Sequence, residues 1–148
     1  MGSGGQVRGA RPDDLPRIVD IERQSFKHPY SPRLMASLMA LAGDLFVVYE
    51  VGGEVIGYAV ALLREGRLGH IMSIAVDPGH RRRGVGTALL SELLRRLKEK
   101  GALVARLEVR VSNEAALRLY RKLGFKEIYV MPDYYPDGEA CYVMVKWL

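Results

Sequence analysis

The chain has 148 residues, of which 49% are hydrophobic and 26% charged, and this balance is typical of one globular domain with its own core. No apolar run approaches the roughly 20 residues of a membrane span and no charged-then-apolar leader opens the chain, so we expect a cytoplasmic protein without a membrane partner. Cys141 is the single cysteine, which excludes a disulfide framework and a thiolate-bound metal cluster.

The positive charge is concentrated in one segment. The whole chain carries a formal net charge of +5, and residues 77–100 hold seven Lys or Arg against three acidic residues. Such a cationic segment favours an anionic partner, either a phosphorylated small molecule or a nucleic acid. For residues 95–100, a solvated helix face is an equally good interpretation.

The first predicted elements are a short strand and two helices. The glycine-rich Met1–Gly5 is expected to be an unstructured tail or an expression remnant, which leaves residues 6–148 as the single domain. A strand is predicted around Val7. Asp13 is the expected N-cap of a helix whose apolar residues recur at helical spacing, namely Ile18, Ile21 and Phe26. A second helix is predicted to start at Ser31-Pro32 and to carry one apolar face, made of Leu34, Leu38 and Leu41.

The hydrophobic period then changes from helix to strand. Phe46–Val51 and Val55–Leu63 flank Gly52-Gly53, a pattern that predicts a β-hairpin with a primed turn. Leu68–Val76 is predicted as the next strand, ended by Asp77-Pro78-Gly79.

The second half alternates helix and strand. The longest predicted helix has an apolar stripe made of Val85, Leu89, Leu93 and Leu97, and Gly101 follows its end. Leu103–Val111 is a predicted strand, and Ser112 or Asn113 caps a helix that runs to Leu123. The last two predicted strands are Lys126–Met131 and Cys141–Trp147. The order βααβββαβαββ joins an antiparallel front half to β-α-β crossovers, so we predict a mixed, twisted sheet with helices on both faces, α/β or α+β in class.

The segment His80–Thr87 has the features of a phosphate-binding loop. It lies between a predicted strand and a long amphipathic helix, and Gly84 and Gly86 remove side chains where a ligand approaches the backbone. The first helical turn offers free N–H groups and a favourable dipole, while Arg81, Arg82 and Arg83 supply donors for phosphate oxygens. The loop lacks the Lys-Ser/Thr of a Walker A motif and the third glycine of a dinucleotide fingerprint. A structural turn is the less favoured alternative.

At these residues the sequence resembles the GNAT superfamily of acetyl-CoA-dependent N-acetyltransferases. The match comprises Arg81-x-x-Gly84-x-Gly86 and the preceding Ser73–Pro78. Leu107–Asn113, Ala116–Tyr120 and Leu123-Gly124-Phe125 are similar to protein N-terminal acetyltransferases of the ribosomal-protein-alanine and archaeal types, and so is the tyrosine-rich segment 134–139. The resemblance spans roughly residues 6–148. It implies the GNAT fold, with about seven strands and about four helices.

The same resemblance implies that acetyl-CoA is the cofactor and that no metal takes part. Its expected binding residues lie on the strand before the loop, on the loop and on the next helix: Ile74, Ala75, Val76, Arg81, Arg82, Arg83, Gly84, Val85, Gly86, Thr87, Asn113 and Tyr120. Asn113 also qualifies as a helix cap, and both roles are compatible.

Three residues are candidates for acid–base chemistry. By resemblance Glu108 is the general base, and the alternative is an exposed acid at a sheet edge. His70 matches a position that relatives use as a base acting through water, although a lone strand histidine is more often structural. Tyr120 matches the residue that donates a proton to the coenzyme A thiolate; otherwise it is a core aromatic. Because an α-amine has a pKa near 8 and a lysine about 10.4, a modest base favours N-termini as acceptors.

The acceptor site is expected to be formed by two loops. Phe26, Pro29 and Tyr30 are candidates to wall a pocket for the first residue of a peptide, and Tyr134 and Tyr135 to bind its backbone, unless these aromatics only cover the core. Two departures from relatives bear on acceptor choice: Ala140 replaces an acid after the tyrosines, and the first loop lacks an acidic residue.

We therefore predict direct acetyl transfer to the α-amino group of protein N-termini by a monomer or weak dimer, with ribosome association left open. One alternative acceptor is a lysine or a small-molecule amine. A nucleic-acid or ribosome-binding module ranks lower, because the interleaved aromatics of a single-strand-binding sheet are missing from the sequence. No specific nucleic acid is expected as a partner.

Overall fold

The structure is a computed structural model that describes residues 4–148. Met1–Ser3, part of the predicted tail, lie outside the described residues. One seven-stranded sheet runs through the molecule in the order β1-β2-β3-β4-β5-β7-β6. In chain order the elements are β1 (Gln6–Gly9), α1 (Leu15–Ser25), α2 (Pro32–Ala42), β2 (Phe46–Val51), β3 (Glu54–Arg64), β4 (Leu68–Val76), α3 (Val85–Glu99), β5 (Val104–Arg110), α4 (Glu114–Lys122), β6 (Lys126–Met131) and β7 (Cys141–Trp147).

The sheet is mixed, as the sequence predicts. Only β4 and β5 are parallel, and the helix α3 connects them, while every other neighbouring pair is antiparallel. The predicted α3 stripe is buried: Leu89, Leu93 and Leu97 are fully inaccessible to solvent. None of the four α-helices in residues 4–148 has the length and apolar character needed to cross a bilayer.

Helices α1 and α2 pack on one face of the sheet and α3 packs on the other. Glu22 of α1 reaches Tyr58 of β3, whereas the α3 side chain of Leu89 lies on the opposite side, against Gly57. Side chains alternate between the faces of a strand, so neighbouring residues of β3 contact different helices. This two-sided cover buries a single continuous core.

Two local predictions are wrong. Asp14, not Asp13, stabilises the start of α1, because its carboxylate accepts the Arg11 N–H at 2.7 Å and a short 3₁₀ turn, Pro12–Asp14, precedes the helix. The predicted apolar face of α2 is also misplaced: Leu34 is 43% exposed and Leu41 is 73% exposed. The buried face consists of Met35, Leu38 and Ala42. Leu38 belongs to both faces, and all five side chains are apolar, so hydrophobicity alone does not distinguish the two faces.

Candidate active site

The site begins where two parallel strands separate. Strands β4 and β5 pair only between Leu68–His70 and Val104–Arg106, although β4 continues to Val76 and β5 to Arg110. The register of β4 against β3 also shifts between Val60 and Ala61, so Met72 is an extra residue in β4. Such a bulge bends the strand. The two strands therefore leave an opening in the sheet, lined by the backbone of β4.

Two cavities occupy this opening. One, of about 410 Å³, contains Glu108 and is called here the Glu108 cavity. The other, of about 550 Å³, contains the start of α3 and is called the Gly84 cavity. They are lined in common by four residues, Phe26, Ile74, Asn113 and Tyr120. Because the cavities meet at these residues, one ligand can extend from the start of α3 towards Glu108.

The Gly84 cavity has the geometry of an anion site. Gly84 adopts the left-handed conformation with φ of 79°, and its N-cap position leaves open space where a Cβ would stand. The first intrahelical bond runs from Ala88 N–H to Gly84 O at 3.0 Å, so the preceding amides, those of Val85, Gly86 and Thr87, are not used in the helix. A Cβ on Gly86 would lie 3.3 Å from Leu119 Cδ2, so this glycine also permits close packing against α4.

The three arginines of the loop differ in their surroundings. Arg81 is braced against the protein, since Nε donates to Val76 O at 3.0 Å and Nη2 to Ser25 Oγ at 3.2 Å. Arg82 has φ of 64° and lines the Gly84 cavity together with Arg81. Arg83 is exposed and is not among the residues lining the cavity. The fit for a pyrophosphate therefore rests on the helix amides and two guanidinium groups.

Glu108 is held by donors on both sides. His70 Nε2 lies 2.8 Å from Oε1, and Arg106 Nε donates to Oε2 at 2.7 Å. Its side chain is only 11% exposed and β5 lies inside the sheet, so Glu108 is not an exposed sheet-edge acid. Burial on its own would raise the pKa of the carboxyl, but the hydrogen bonds and charges of His70 and Arg106 together outweigh it and lower the pKa. Glu108 is therefore ionised at neutral pH.

The hydrogen bonds of His70 define the state of its ring. Arg64 Nε donates to Nδ1 at 3.2 Å, and an arginine donor requires that this nitrogen be an acceptor. The proton of the neutral ring then sits on Nε2, which donates to Glu108. His70 lies behind Glu108 and does not line the Glu108 cavity.

Tyr120 stands at the junction of the two cavities. It is 7% exposed and packs edge-on against Phe125 with ring centroids 6.0 Å apart. Burial raises the pKa of its hydroxyl, so the proton stays on the oxygen at any working pH. Asn113 caps α4 by accepting the Ala116 N–H at 3.2 Å and also lines both cavities, so the predicted cap is confirmed.

A second buried carboxylate lies on the opposite wall. Glu22 of α1 is 2% exposed and accepts hydrogen bonds from the hydroxyls of Tyr58 and Ser73 and from the Tyr30 N–H at 2.9 Å. Tyr30 in turn donates its hydroxyl to Met72 O at 3.1 Å, so the α1–α2 loop is fastened to the β4 bulge. Sequence reasoning missed this group. The available signal was an acid four residues after Ile18, on the apolar face of a predicted helix.

The loop between β6 and β7 closes the other side of the Glu108 cavity. Arg110 lies over the Tyr135 ring at 4.0 Å and bonds to Asp137 and Glu139. Asp137 also pairs with Lys27 of the α1–α2 loop at 3.0 Å. The two loops predicted to hold the acceptor are therefore joined across the cavity by one exposed ion pair.

Most of the predicted site residues converge on the opening. Phe26, Tyr30, Tyr134 and Tyr135 line the Glu108 cavity, and Ala75, Val76, Val85 and Thr87 line the Gly84 cavity. Pro29 lines neither cavity, and neither does Arg83 or His70. Within residues 4–148 no cluster of three or more His, Cys, Asp or Glu side chains is suited to a metal ion.

Comparison with known proteins identifies the family and the fold. Residues 15–125 match the acetyltransferase (GNAT) family. The chain belongs to this family. An N-alpha-acetyltransferase of Sulfurisphaera tokodaii is 39% identical over 94% of this chain and 90% of its own length. The [ribosomal protein bS18]-alanine N-acetyltransferase of Escherichia coli K12 is 36% identical over 86% and 84%.

The structural comparison agrees. The crystal structure of Ard1 from Thermoplasma volcanium superposes with a TM-score of 0.95 at 34% identity, covering 98% of each chain. The predicted GNAT fold and resemblance are thereby confirmed. Other GNAT structures of this fold contain CoA or acetyl-CoA. This chain is accordingly an N-acetyltransferase that uses acetyl-CoA, and the Gly84 cavity fits that cofactor through its helix amides and arginines.

Proposed function

We propose that this GNAT enzyme transfers the acetyl group of acetyl-CoA to the α-amino group of protein N-termini. The observation that carries the proposal is the Glu108 cavity: it holds an ionised carboxylate, opens towards the cofactor side at Tyr120, and lies between two tyrosine-bearing loops. Homologues named for Nα-acetylation support the same acceptor. An enzyme acting on newly made proteins works where they are made, so the cytoplasm is the expected location.

The cofactor site assigns roles to the main chain and to two arginines. Bound acetyl-CoA supplies an acetyl group activated as a thioester. The backbone amides that precede Ala88, with Arg81 and Arg82, hold the pyrophosphate end of the cofactor. The free N–H groups and the dipole at the start of α3 attract the anion there, so the identity of the α3 side chains matters less. Ile74, Ala75 and Val76 offer backbone groups along the opening, since β4 has no ladder to β5 there.

Glu108 receives the proton of the acceptor amine, directly or through water. Burial alone would raise the pKa of Glu108, but His70 and Arg106 lower it further than burial raises it, so Glu108 is a weak base. A weak base neutralises an α-amine, with a pKa near 8, far more readily than a lysine near 10.4. This difference favours N-termini over lysine side chains.

His70 acts as a positioning residue in this scheme. Its Nδ1 accepts from Arg64 and its Nε2 donates to Glu108, so neither nitrogen is available to take a proton from the acceptor. Tyr120 keeps its hydroxyl proton and stands where the two cavities meet, so it is the proton donor to the leaving thiolate. Asn113 also lines both cavities at this junction.

The two acceptor loops favour a peptide over a compact amine as the acceptor. Tyr30 is fixed by Glu22 and Met72, and Tyr135 by Arg110, so both are rigid walls before a ligand arrives. Phe26 lines both cavities at their junction. An extended N-terminal segment fits between two such walls, with its amine towards Glu108.

Mass spectrometry of acetylated products tests the proposal. Peptides with a free N-terminus and one internal lysine are compared with the same peptides blocked at the N-terminus, and with a polyamine and an aminoglycoside. We expect single acetylation at the α-amine of unblocked peptides only. Acetylation of blocked peptides would assign lysine as the acceptor, and activity confined to the small amines would assign a metabolite.

A further inference from the structure

One face of the sheet is covered by helices over only half of its width. Helices α1 and α2 pack on β3 and β4, on the side where Tyr58 and His70 point. On the same side, three rows of side chains run across β5, β7 and β6. Arg106 of β5 is level with Val145 of β7 and Lys126 of β6, and Glu108 is level with Val143 and Tyr129. Val104 of β5 is level with Trp147 of β7. Trp147 is 77% exposed and Tyr129 is 46% exposed. We call this surface of β5, β7 and β6 the open face.

The exposed part of the open face combines cations, aromatic rings and half-buried aliphatic side chains, whereas Val143 in its middle is fully buried. Arg106 and Lys126 lie on the open face. Arg64, which pairs with Leu68 of β4 at the end of β3, adds a third cation at its β4 side. Its carboxylate, Glu108, is paired with Arg106 at 2.7 Å. The half-buried aliphatic side chains between the cations are those of Leu68, Val104 and Val145. The surface thus carries a net positive charge beside two exposed rings.

We propose that the open face binds single-stranded RNA without sequence preference. Unpaired bases stack on exposed aromatic rings while arginine and lysine neutralise the phosphates, and a sheet offers both on one surface. An RNA duplex hides its bases, so it would not engage Tyr129 and Trp147. The choice of RNA rests on the proposed function, because protein N-termini first become available at the ribosome, where unpaired RNA loops offer bases for stacking.

Two other occupants fit the open face less well. In a symmetric dimer through this surface the same patch meets itself, so Arg64, Arg106 and Lys126 of each copy would oppose those of the other. An acidic peptide would satisfy the cations but would leave the Trp147 ring without a stacking partner. The register of β6 against β7 sets Tyr129 opposite Val143, on the side of the sheet where Trp147 of β7 lies, and a register between strands cannot be read from the sequence.

Fluorescence anisotropy with a labelled oligouridylate of about 12 nucleotides tests the proposal. We expect binding at about 50 mM salt that weakens about tenfold or more at about 200 mM salt. Trp147→Ala and Lys126→Glu should each weaken binding about tenfold, since each base–aromatic stack or phosphate contact accounts for a loss of that order. Neither residue belongs to the catalytic machinery, so acetylation of a free peptide should be unchanged.

Matched controls place the changes elsewhere on the surface. Lys98→Glu removes an exposed cation of α3, and Leu41→Ala removes an exposed apolar side chain of α2; both should bind RNA like the unmodified protein. The proposal is overturned if no RNA binds at about 50 mM salt, if Lys98→Glu weakens binding as much as Lys126→Glu, or if acetyl-CoA displaces the RNA. Tighter binding of oligothymidylate or of polyglutamate than of oligouridylate would also overturn it. The peptide assay is independent, so either proposal can fail alone.

Discussion

His70 donates a hydrogen bond from Nε2 to Oε1 of Glu108, with 2.8 Å between the two atoms. Arg64 occupies the other nitrogen of the ring, and Arg106 occupies the other carboxylate oxygen. The carboxylate is thus oriented and kept ionised by its neighbours on the open face. In the proposed mechanism, the histidine supports the base and does not replace it.

Replacement of Glu108 by glutamine should reduce turnover strongly. The amide keeps the shape of the side chain but cannot take a proton, and general-base catalysis is worth about 10²- to 10⁴-fold. We expect kcat to fall within that range while the calorimetric Kd of acetyl-CoA stays nearly constant, because Glu108 does not line the Gly84 cavity. Turnover at the wild-type level would show that His70 or solvent takes the proton.

The role of His70 is tested by a pair of variants. His70→Gln retains a side-chain N–H that can donate to Glu108, whereas His70→Ala does not. We expect the glutamine variant to keep much of the activity and the alanine variant to lose about tenfold or more. In His70→Ala the lost hydrogen bond lets the pKa of Glu108 rise, so the acidic limb of kcat/KM should move to higher pH. Equal loss in both variants, without that movement, would identify His70 as the base.

Tyr120→Phe isolates the proposed proton donor. The ring keeps its packing against Phe125, but the hydroxyl at the cavity junction is removed. Because burial raises the pKa of this hydroxyl, it works as an acid and not as a base, so its loss should lower kcat by about tenfold or more. KM for the peptide should change little. Unchanged single-turnover rates would assign the tyrosine to packing alone.

Two adjacent arginines provide a matched test of the cofactor site. Arg82 lines the Gly84 cavity and Arg83 does not. A hydrogen bond to a charged group contributes about 1.5–3 kcal/mol, so Arg82→Ala should raise the calorimetric Kd of coenzyme A by about tenfold or more. Arg83→Ala should leave the Kd nearly unchanged. An equal effect of both changes would mean that the loop acts only through its overall charge.

The Arg8–Asp14 pair predicts how stability responds to acid. Arg8 bonds to both oxygens of Asp14, at 2.8 and 2.9 Å, and this hydrogen bonding lowers the pKa of the carboxyl even though burial opposes it. A lowered pKa contributes stability above the unfolded value of about 3.9, and that contribution is lost as pH falls through the folded pKa. Asp14→Asn should therefore cost about 2 kcal/mol in urea unfolding at pH 7, the usual value of hydrogen bonds to a charged group, and less at about pH 3. An equal cost at both pH values would contradict this assignment.

Local sequence patterns determined most of the secondary structure and predicted the cofactor side of the site. The period of the apolar residues gave the element order, and Gly84 and Gly86 with the arginines marked the start of α3 as an anion site, because those features depend on residues close together in the chain. The apolar face of α2 was misjudged, since Leu34 and Met35 are both apolar and only packing distinguishes them.

The tertiary structure alone decided which groups meet. Glu22 and Ser73, and likewise His70 and Glu108, lie in different elements, and no local pattern specifies that their side chains hydrogen-bond. The opening of the sheet at β4 and β5 joins two cavities, and the pairing of β6 with β7 gathers Tyr129 and Trp147 on one surface. The ionisation of Glu108 and the tautomer of His70 depend on neighbours that are distant in the sequence. Both could therefore be assigned only from the register of the strands.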